Sequence, residues 1–180
     1  MNEILSMLEK ISLGQSYFKI ALLLRKSMFV SSMLTNADVW TGPRKTEVKQ
    51  LEDLDSSLLR QFLGTPCTVP TEAVYLELGV LNIGTILKSK RINFLHTLLK
   101  QKENSRLYNF FLTQWKYPGP KDEWTEQVKV DLNDFGITDD LDHLQKLKSF
   151  SFKNMVRRKA KEFALMTFLE QKEKHSKLDN

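Results

Sequence analysis

Adjacent carboxylates are the first feature of this sequence that could perform chemistry. The chain contains one Asp-Asp pair, Asp139-Asp140, and paired carboxylates can hold Mg²⁺ ions for phosphoryl transfer. No aromatic residue precedes the pair directly, and no apolar strand flanks it. Acidic residues that open a helix, where they interact favourably with the helix dipole, explain the pattern better. We therefore predict no catalytic role for this pair.

Histidine and cysteine are the next residue types with reactive side chains. His96, His143 and His175 lie far apart, and none forms a metal-ligand spacing on a helix with another histidine or with Cys67. A nucleophile–base pair between Cys67 and one of the histidines stays open, but no motif supports it. The sequence therefore predicts no metal, no cofactor, no disulfide and no enzymatic activity.

Basic residues are the third group, because lysine and arginine bind phosphates. The formal net charge is +5, and the excess is uneven. Residues 86–106 hold six basic residues against one acid, and residues 150–180 hold eight against four. The densest cluster, Arg157-Arg158-Lys159 followed by Lys161, fits a phosphate contact, a nuclear-import signal or the solvated face of a helix. These alternatives stay open at the level of the sequence.

Two further patterns have both a functional and a structural interpretation. Leu78-Gly79-Val80, followed by the basic residues from Lys88, is similar to a helix-turn-helix, but the turn is about one residue too long. Ordinary helix punctuation is therefore favoured. Trp40, Trp115 and Trp124 could stack on bases, with Trp40 the strongest candidate, although packing is the more common role of tryptophan.

The elements that must position these residues are predicted to be helical throughout. Apolar residues recur at three- and four-residue steps, and no segment alternates at two-residue steps. In the third helix the stripe is Val48, Leu51, Leu54, Leu58 and Phe62, and Gly64 stands at the left-handed C-cap. The polar face of this helix is formed by Glu47, Lys49, Glu52, Asp53 and Asp55. The fold class is thus an all-α, irregular bundle of about seven helices. We place these at about 2–13, 15–35, 44–63, 71–78, 83–102, 105–115 and 152–174, with two short helices at about 121–135 and 139–147.

The most apolar stretch, Tyr17–Leu34, is broken by Lys19, Arg25 and Lys26. Three cations make a membrane span unfavourable, so the pattern predicts a buried or partner-facing helix and no membrane association. The single cysteine fits a reducing compartment, and the first residues do not resemble a signal peptide. We therefore expect an intracellular protein, cytoplasmic or nuclear, that is not secreted.

Several strings follow one another between Ile11 and Lys102 in a characteristic order. They are YFKIA at 17–21, LRKSM at 24–28, NADVW at 36–40, LExLDxxLLR at 51–60, PTEAxYLELG at 70–79 and KRxxFLH at 90–96. WTxxV at 124–128 and FKxxV at 152–156 extend the pattern. In this order the sequence resembles the thumb and the downstream segment of non-LTR (LINE-like) retrotransposon reverse transcriptases.

The resemblance implies a thumb-like helical bundle over residues 1–104, with a C-terminal helical extension over 105–180 packed on it. It also implies a non-catalytic fragment that binds the backbone of a template–primer RNA or DNA duplex, or the polymerase palm that the chain lacks. The candidate contacts to nucleic acid are Arg25, Lys26, Trp40, Arg44, Lys45, Lys88, Lys90, Arg91, Arg157, Arg158 and Lys159.

A second hypothesis comes from a different class of protein. The helices could form a protein-interaction or scaffold module, homodimeric through Tyr17–Leu34 and without a nucleic-acid role. Salt-dependent binding to a duplex distinguishes the two hypotheses, because its slope counts the phosphates that are neutralised.

Overall fold

The computed structural model describes residues 15–40, 45–102, 105–117, 119 and 123–178, and side chains within 17–170 of these. The helix expected at 2–13 and the candidate contact Arg44 lie outside the described residues, as does the side chain of Lys45. All regular structure in the described part is helical, which confirms the all-α prediction. The helices are α1, formed by Gln15–Leu24, a π-helical segment Arg25–Val30 and Ser31–Met33; a 3₁₀ helix Ala37–Val39; α2, Lys45–Leu63; α3, Thr71–Glu77; α4, Ile83–Leu99; α5, Arg106–Lys116; α6, Glu123–Asp134; α7, Leu141–Lys146; and α8, Ser149–Leu178.

Polar side chains begin several of these helices. Asn82 accepts a hydrogen bond from the Thr85 amide at the start of α4, and Ser105 caps α5 in the same way. Asp140 accepts from the backbone N–H groups at the start of α7. Such N-caps satisfy amides that have no partner within the helix. The helical interpretation of Asp139-Asp140 is therefore confirmed at Asp140.

One prediction about the inward face of α2 is wrong. Leu54 was placed on the apolar stripe, yet 48% of its surface is exposed. Asp55, assigned to the polar face, is fully buried instead. The apolar neighbours Leu58 and Phe62 do face the core. The Asp55 carboxylate points inward because it accepts a hydrogen bond from a buried cation, Arg25.

Helix α4 is the central element of the fold. Its C-terminal half, with Leu95 and Leu99, joins a cluster formed by α5 to α8 and centred on Leu132 and Phe152. Its N-terminal half, with Ile83 and Leu87, packs on the end of α1 and on the 3₁₀ helix. A third cluster, formed by α1, α2 and α3, contains Ala21, Leu58, Leu59, Phe62, Val74 and Tyr75. The domain boundary that we expect after residue 104 therefore lies just beyond α4. Helix α4 packs both on helices that precede this boundary and on helices that follow it.

Helix α8 begins at Ser149, three residues before its expected start. Its buried stripe starts at Phe152 and continues through Val156 and Ala160, so apolar periodicity alone marks Phe152 as the first residue. Phe150 precedes that stripe and is 77% exposed. Among the described residues, no helix has both the length and the apolar character that a membrane crossing requires.

Candidate nucleic-acid interface

The Arg25 guanidinium is part of the protein interior. Its Nε and Nη2 donate hydrogen bonds to the two carboxylate oxygens of Asp55 at 2.7 and 2.5 Å, and Nη2 also donates to the Leu81 carbonyl at 2.9 Å. The Tyr75 hydroxyl donates to Asp55 at 2.9 Å. Burial, together with the Asp55 charge, raises the pKa of Tyr75. The prediction that Arg25 contacts nucleic acid is wrong, because its donors are directed at Asp55 and Leu81 inside the fold.

A second buried pair removes Arg91 from the candidate surface. Its Nε and Nη2 donate to Asp131 of α6 at 2.6 and 3.1 Å, and both residues are buried. Lys88, one turn earlier on α4, forms a salt bridge with Asp134. The assignment of Arg91 as a phosphate contact is therefore corrected, and Lys88 is already neutralised by an acid of the same chain. The sequence placed these cations on a helix but gave no sign of the acids that meet them.

Helix α4 also has no face available for a major groove. It is covered by α2, α5, α6, α7, α8 and the 3₁₀ helix. The helix-turn-helix interpretation is excluded on this ground, and Gly79, with φ at +61°, ends α3 as ordinary punctuation.

The tryptophans serve the packing of the fold. Trp40 packs against the cluster of Leu34, Ala37, Ile83 and Leu87. Trp124 donates from its indole N–H to the Asp38 carbonyl at 2.9 Å and meets the Phe94 ring edge-on. Trp115 packs against the main core cluster. The structural interpretation of these residues therefore accounts for their positions, and Trp40 does not stand free as a stacking platform.

The remaining basic candidates differ in exposure and in partners. Lys26 is exposed on α1, and Lys90 is partly buried on α4. On α8, Arg157 and Arg158 are exposed, whereas Lys159 is partly buried. Glu162 lies 3.6 Å from Arg158 Nε and 3.2 Å from Lys159 Nζ. These are surface pairs, which contribute little to stability and leave the cations accessible.

One side of α8 carries cations without an internal partner. Lys153, Arg157 and Lys161 recur at four-residue steps and are exposed. None of them forms a salt bridge with a carboxylate among the described side chains. We call these three residues the α8 basic face. Residues four apart lie on one side of a helix, about 6 Å from one another along its axis. The sequence pointed to Arg157 but not to Lys153, because the expected helix start at Phe152 left Lys153 at a helix end.

The positive charge continues beyond α8 to neighbouring elements. His96 of α4 is buried, stacks on the Phe152 ring at 4.1 Å and lies with Nε2 3.2 Å from the Leu147 carbonyl. Burial lowers the pKa of His96, and the positive charges of Lys100 and Lys153 lower it further. Lys100 and Lys153 are therefore both close to this histidine. Lys148, just before α8, is exposed as well. The start of α8 is thus a region of concentrated positive charge.

An open groove adjoins the far end of the basic face. It has a volume of about 520 Å³ and lies between α3 and the C-terminal half of α8. Lys161, Leu165 and Phe168 line one wall, and Glu52 and Glu72 contribute acids. Burial raises the pKa of Glu52, which accepts a hydrogen bond from the Gly84 amide at 3.0 Å. Within the described part of the chain, no three His, Cys, Asp or Glu residues are grouped so that they could hold a metal ion.

Exposed cations are thus the distinctive chemical feature of the part of the chain that the structure describes. Comparisons with protein-family models, with curated proteins and with solved structures find no match to this chain.

Proposed function

We propose that this chain is a non-catalytic nucleic-acid-binding module whose α8 basic face binds the phosphate backbone. The observation that carries the proposal is the exposure of Lys153, Arg157 and Lys161 on one side of one helix, without a described carboxylate partner. Arg25 and Arg91, in contrast, are neutralised in the interior. Cations that the fold does not use for its own stability are the ones available to phosphates.

Binding by such a face is driven by the release of counterions. Each phosphate that a lysine or arginine neutralises frees condensed cations, so the affinity falls as the salt concentration rises. Lys148 and Lys100 add to the same positive region without taking part in a described salt bridge. The contact is made to the backbone, because these flexible cations read charge and not base sequence.

The resemblance to the thumb of non-LTR retrotransposon reverse transcriptases supports the same role. In that setting the chain grips a template–primer duplex, while a separate palm performs the chemistry. Phe18, Leu23 and Met28 of α1 are exposed and would contact that palm. We propose a cytoplasmic or nuclear location on the same basis, where such a nucleic-acid partner is found.

The test is a salt titration of binding to a fluorescein-labelled 20-base-pair template–primer duplex, followed by anisotropy between 50 and 200 mM salt. With about four phosphates neutralised, the log–log slope should be roughly −3 to −4, since each phosphate contributes about 0.9. Arg157→Gln should make the slope less steep by about one. Lys129→Gln is the matched control, because Lys129 of α6 is paired with Glu126, and its slope should equal that of the wild type.

Failure to bind the duplex at 50 mM salt would contradict the proposal. A slope that Arg157→Gln and Lys129→Gln change equally would contradict it too, because the binding would then depend on net charge and not on the α8 basic face. Circular dichroism of each variant shows whether the helices are retained.

A protein-interaction module is the second candidate, favoured by exposed apolar side chains on two helices. Leu23 and Met28 on α1 are 62% and 51% exposed, and Met166 on α8 is 62% exposed. Contacts between helices bury such residues. A stable dimer in light scattering, weakened by Leu23→Ser, together with no duplex binding at low salt, would favour this function over the first.

A further inference from the structure

We propose that the ligand of the α8 basic face is preferentially single-stranded nucleic acid, whose bases stack on Phe150 while Lys153 and Arg157 bind the adjacent phosphates. The inference rests on the proposed function and adds the class of nucleic acid. It depends on the aromatic side chain of Phe150, which is not packed in the core and is not needed for contacts to phosphates. Single-strand-binding surfaces combine such stacking platforms with a positively charged track.

Phe150 is exposed at the start of α8. The ring is 77% exposed, whereas Phe152, two residues later, is fully buried in the main core cluster. The apolar side of α8 is therefore already used by Phe152 and Val156. Phe150 is on the other side, and it packs against no other aromatic ring among the described residues. Its surface is available to a flat ligand.

Phe150 lies on the same side of α8 as the cations of the α8 basic face. At about 100° per residue, Phe150 lies about 20° from Arg157 around the helix axis, and Lys153 lies about 40° to the other side of Arg157. The ring and the cations thus share one face of α8. Lys148 stands two residues before the ring and adds a further positive charge.

A single strand and a duplex differ in whether the faces of their bases are accessible. In a duplex the faces of the bases are covered by stacking, and only their edges reach the grooves. A single strand exposes the faces, so a base can stack on Phe150 with its phosphates directed at Lys153 and Arg157. A duplex can use the cations alone, so the ring gives the single strand an additional contact.

The far end of the α8 basic face limits the length of the contact with the nucleic acid. Lys161 lines the groove that also carries Glu52 and Glu72, and these acids repel phosphates. The favourable track therefore runs from Phe150 to Lys161, a distance of about 16 Å along the helix. This length corresponds to a short footprint, near the lower end of the roughly 4–16 nucleotides that single-strand-binding folds cover.

The test compares three labelled ligands of similar length by anisotropy at 50 mM salt: a deoxythymidine 12-mer, a uridine 12-mer and a 12-base-pair duplex. Phe150→Ala should weaken binding to both single strands by roughly tenfold, the effect of losing one stacked base. The same variant should leave duplex binding and its salt slope unchanged. Phe150→Trp should restore single-strand binding. Phe110→Ala, which removes an aromatic of 61% exposure on α5, is the control and should change nothing.

An abasic 12-mer tests the stacking directly, because it keeps the phosphates and lacks the bases. We expect wild-type protein to bind it more weakly than the deoxythymidine strand, and Phe150→Ala to bind both equally. If the single strands and the duplex bind alike and Phe150→Ala changes neither, the single-strand inference is overturned while the proposed function stands. If none of the ligands binds, both are overturned.

Discussion

Individual cations of this chain differ in their accessibility to solvent. Arg25 and Arg91 each form a bidentate pair with a buried aspartate, Asp55 and Asp131. Removing both charges of such a pair from water is costly, and the Coulomb attraction with the additional hydrogen bonds offsets that cost. The interior therefore holds two cations that a count of charges would assign to the surface. Arg157, which has the same side chain, keeps its donors available to solvent.

Removal of Asp55 tests the importance of the internal pairing. Asp55→Ala leaves Arg25 buried without its carboxylate, and we expect the free energy of unfolding to fall by about 3–5 kcal/mol. Asp53→Ala, an exposed acid on the same helix, is the control and should lower it by less than about 0.5 kcal/mol. Urea denaturation followed by circular dichroism measures both variants.

The double variant Arg25→Met with Asp55→Ala separates pairing from packing. Because it removes the unpaired charge, it should be more stable than Asp55→Ala alone. Equal losses for Asp55→Ala and Asp53→Ala would show that the Arg25–Asp55 pair does not stabilise the fold.

Residue by residue, the sequence identified apolar positions better than buried polar ones. Leu58 and Phe62 were expected in the core and lie there. Asp55 was assigned to the polar face of its helix, since an apolar stripe carries no information about a carboxylate that turns inward. The partner that pulls it inward, Arg25, lies thirty residues earlier in the chain. Only the tertiary structure brings the two together.

Among the elements, the helices were predictable and some of their limits were not. Helix α2 was expected at 44–63 and is observed at Lys45–Leu63, with Gly64 at φ +64° as the left-handed cap. Helix α8 begins before its buried apolar stripe does. The apolar periodicity therefore did not predict the first turn of α8, which contains Phe150. The π-helical segment Arg25–Val30 has no signal in the sequence. The missed first turn of α8 is also where the stacking residue lies.

The contact between α4 and the start of α8 depends on a neutral histidine. His96 stacks on Phe152 of α8, and its Nε2 lies 3.2 Å from the Leu147 carbonyl oxygen, which accepts a hydrogen bond from it. Burial is the main cause of its lowered pKa, and nearby Lys100 and Lys153 disfavour the charged form as well. Protonation would place a third positive charge near Lys100 and Lys153. The junction of the two helices is therefore expected to weaken in acid.

The pH dependence of stability checks this expectation. Because the pKa of His96 is lower in the folded than in the unfolded protein, the unfolded chain takes up a proton that the folded chain does not. The free energy of unfolding should therefore be highest above the ordinary histidine pKa of about 6.5 and fall as the pH decreases from 7 to 5.

The measurement is urea denaturation between pH 5 and pH 7.5. His96→Gln should flatten this part of the stability profile, whereas His143→Gln, at an exposed position on α7, should keep the wild-type slope. Identical slopes for the wild type and His96→Gln would contradict a role for His96 at this junction.

At the scale of the whole molecule, α4 connects the clusters that the earlier and later helices form. Its two halves pack in different cores, and its charged residues pair with α6. Periodicity could predict that these helices have buried faces, but not which helix occupies the centre, because that depends on contacts distant in sequence. The same arrangement places the buried side of α8 against the core and leaves the basic face outside.

Mapping by NMR tests most directly whether that outer face is the binding surface. Amide shifts of ¹⁵N-labelled protein would be followed while a 12-nucleotide single strand is added at low salt. We predict that the largest changes fall on residues 148–161, on the side of Phe150 and Arg157, and that they disappear as salt is raised. Changes centred on α1, or no changes in α8 while the oligonucleotide binds, would contradict the account.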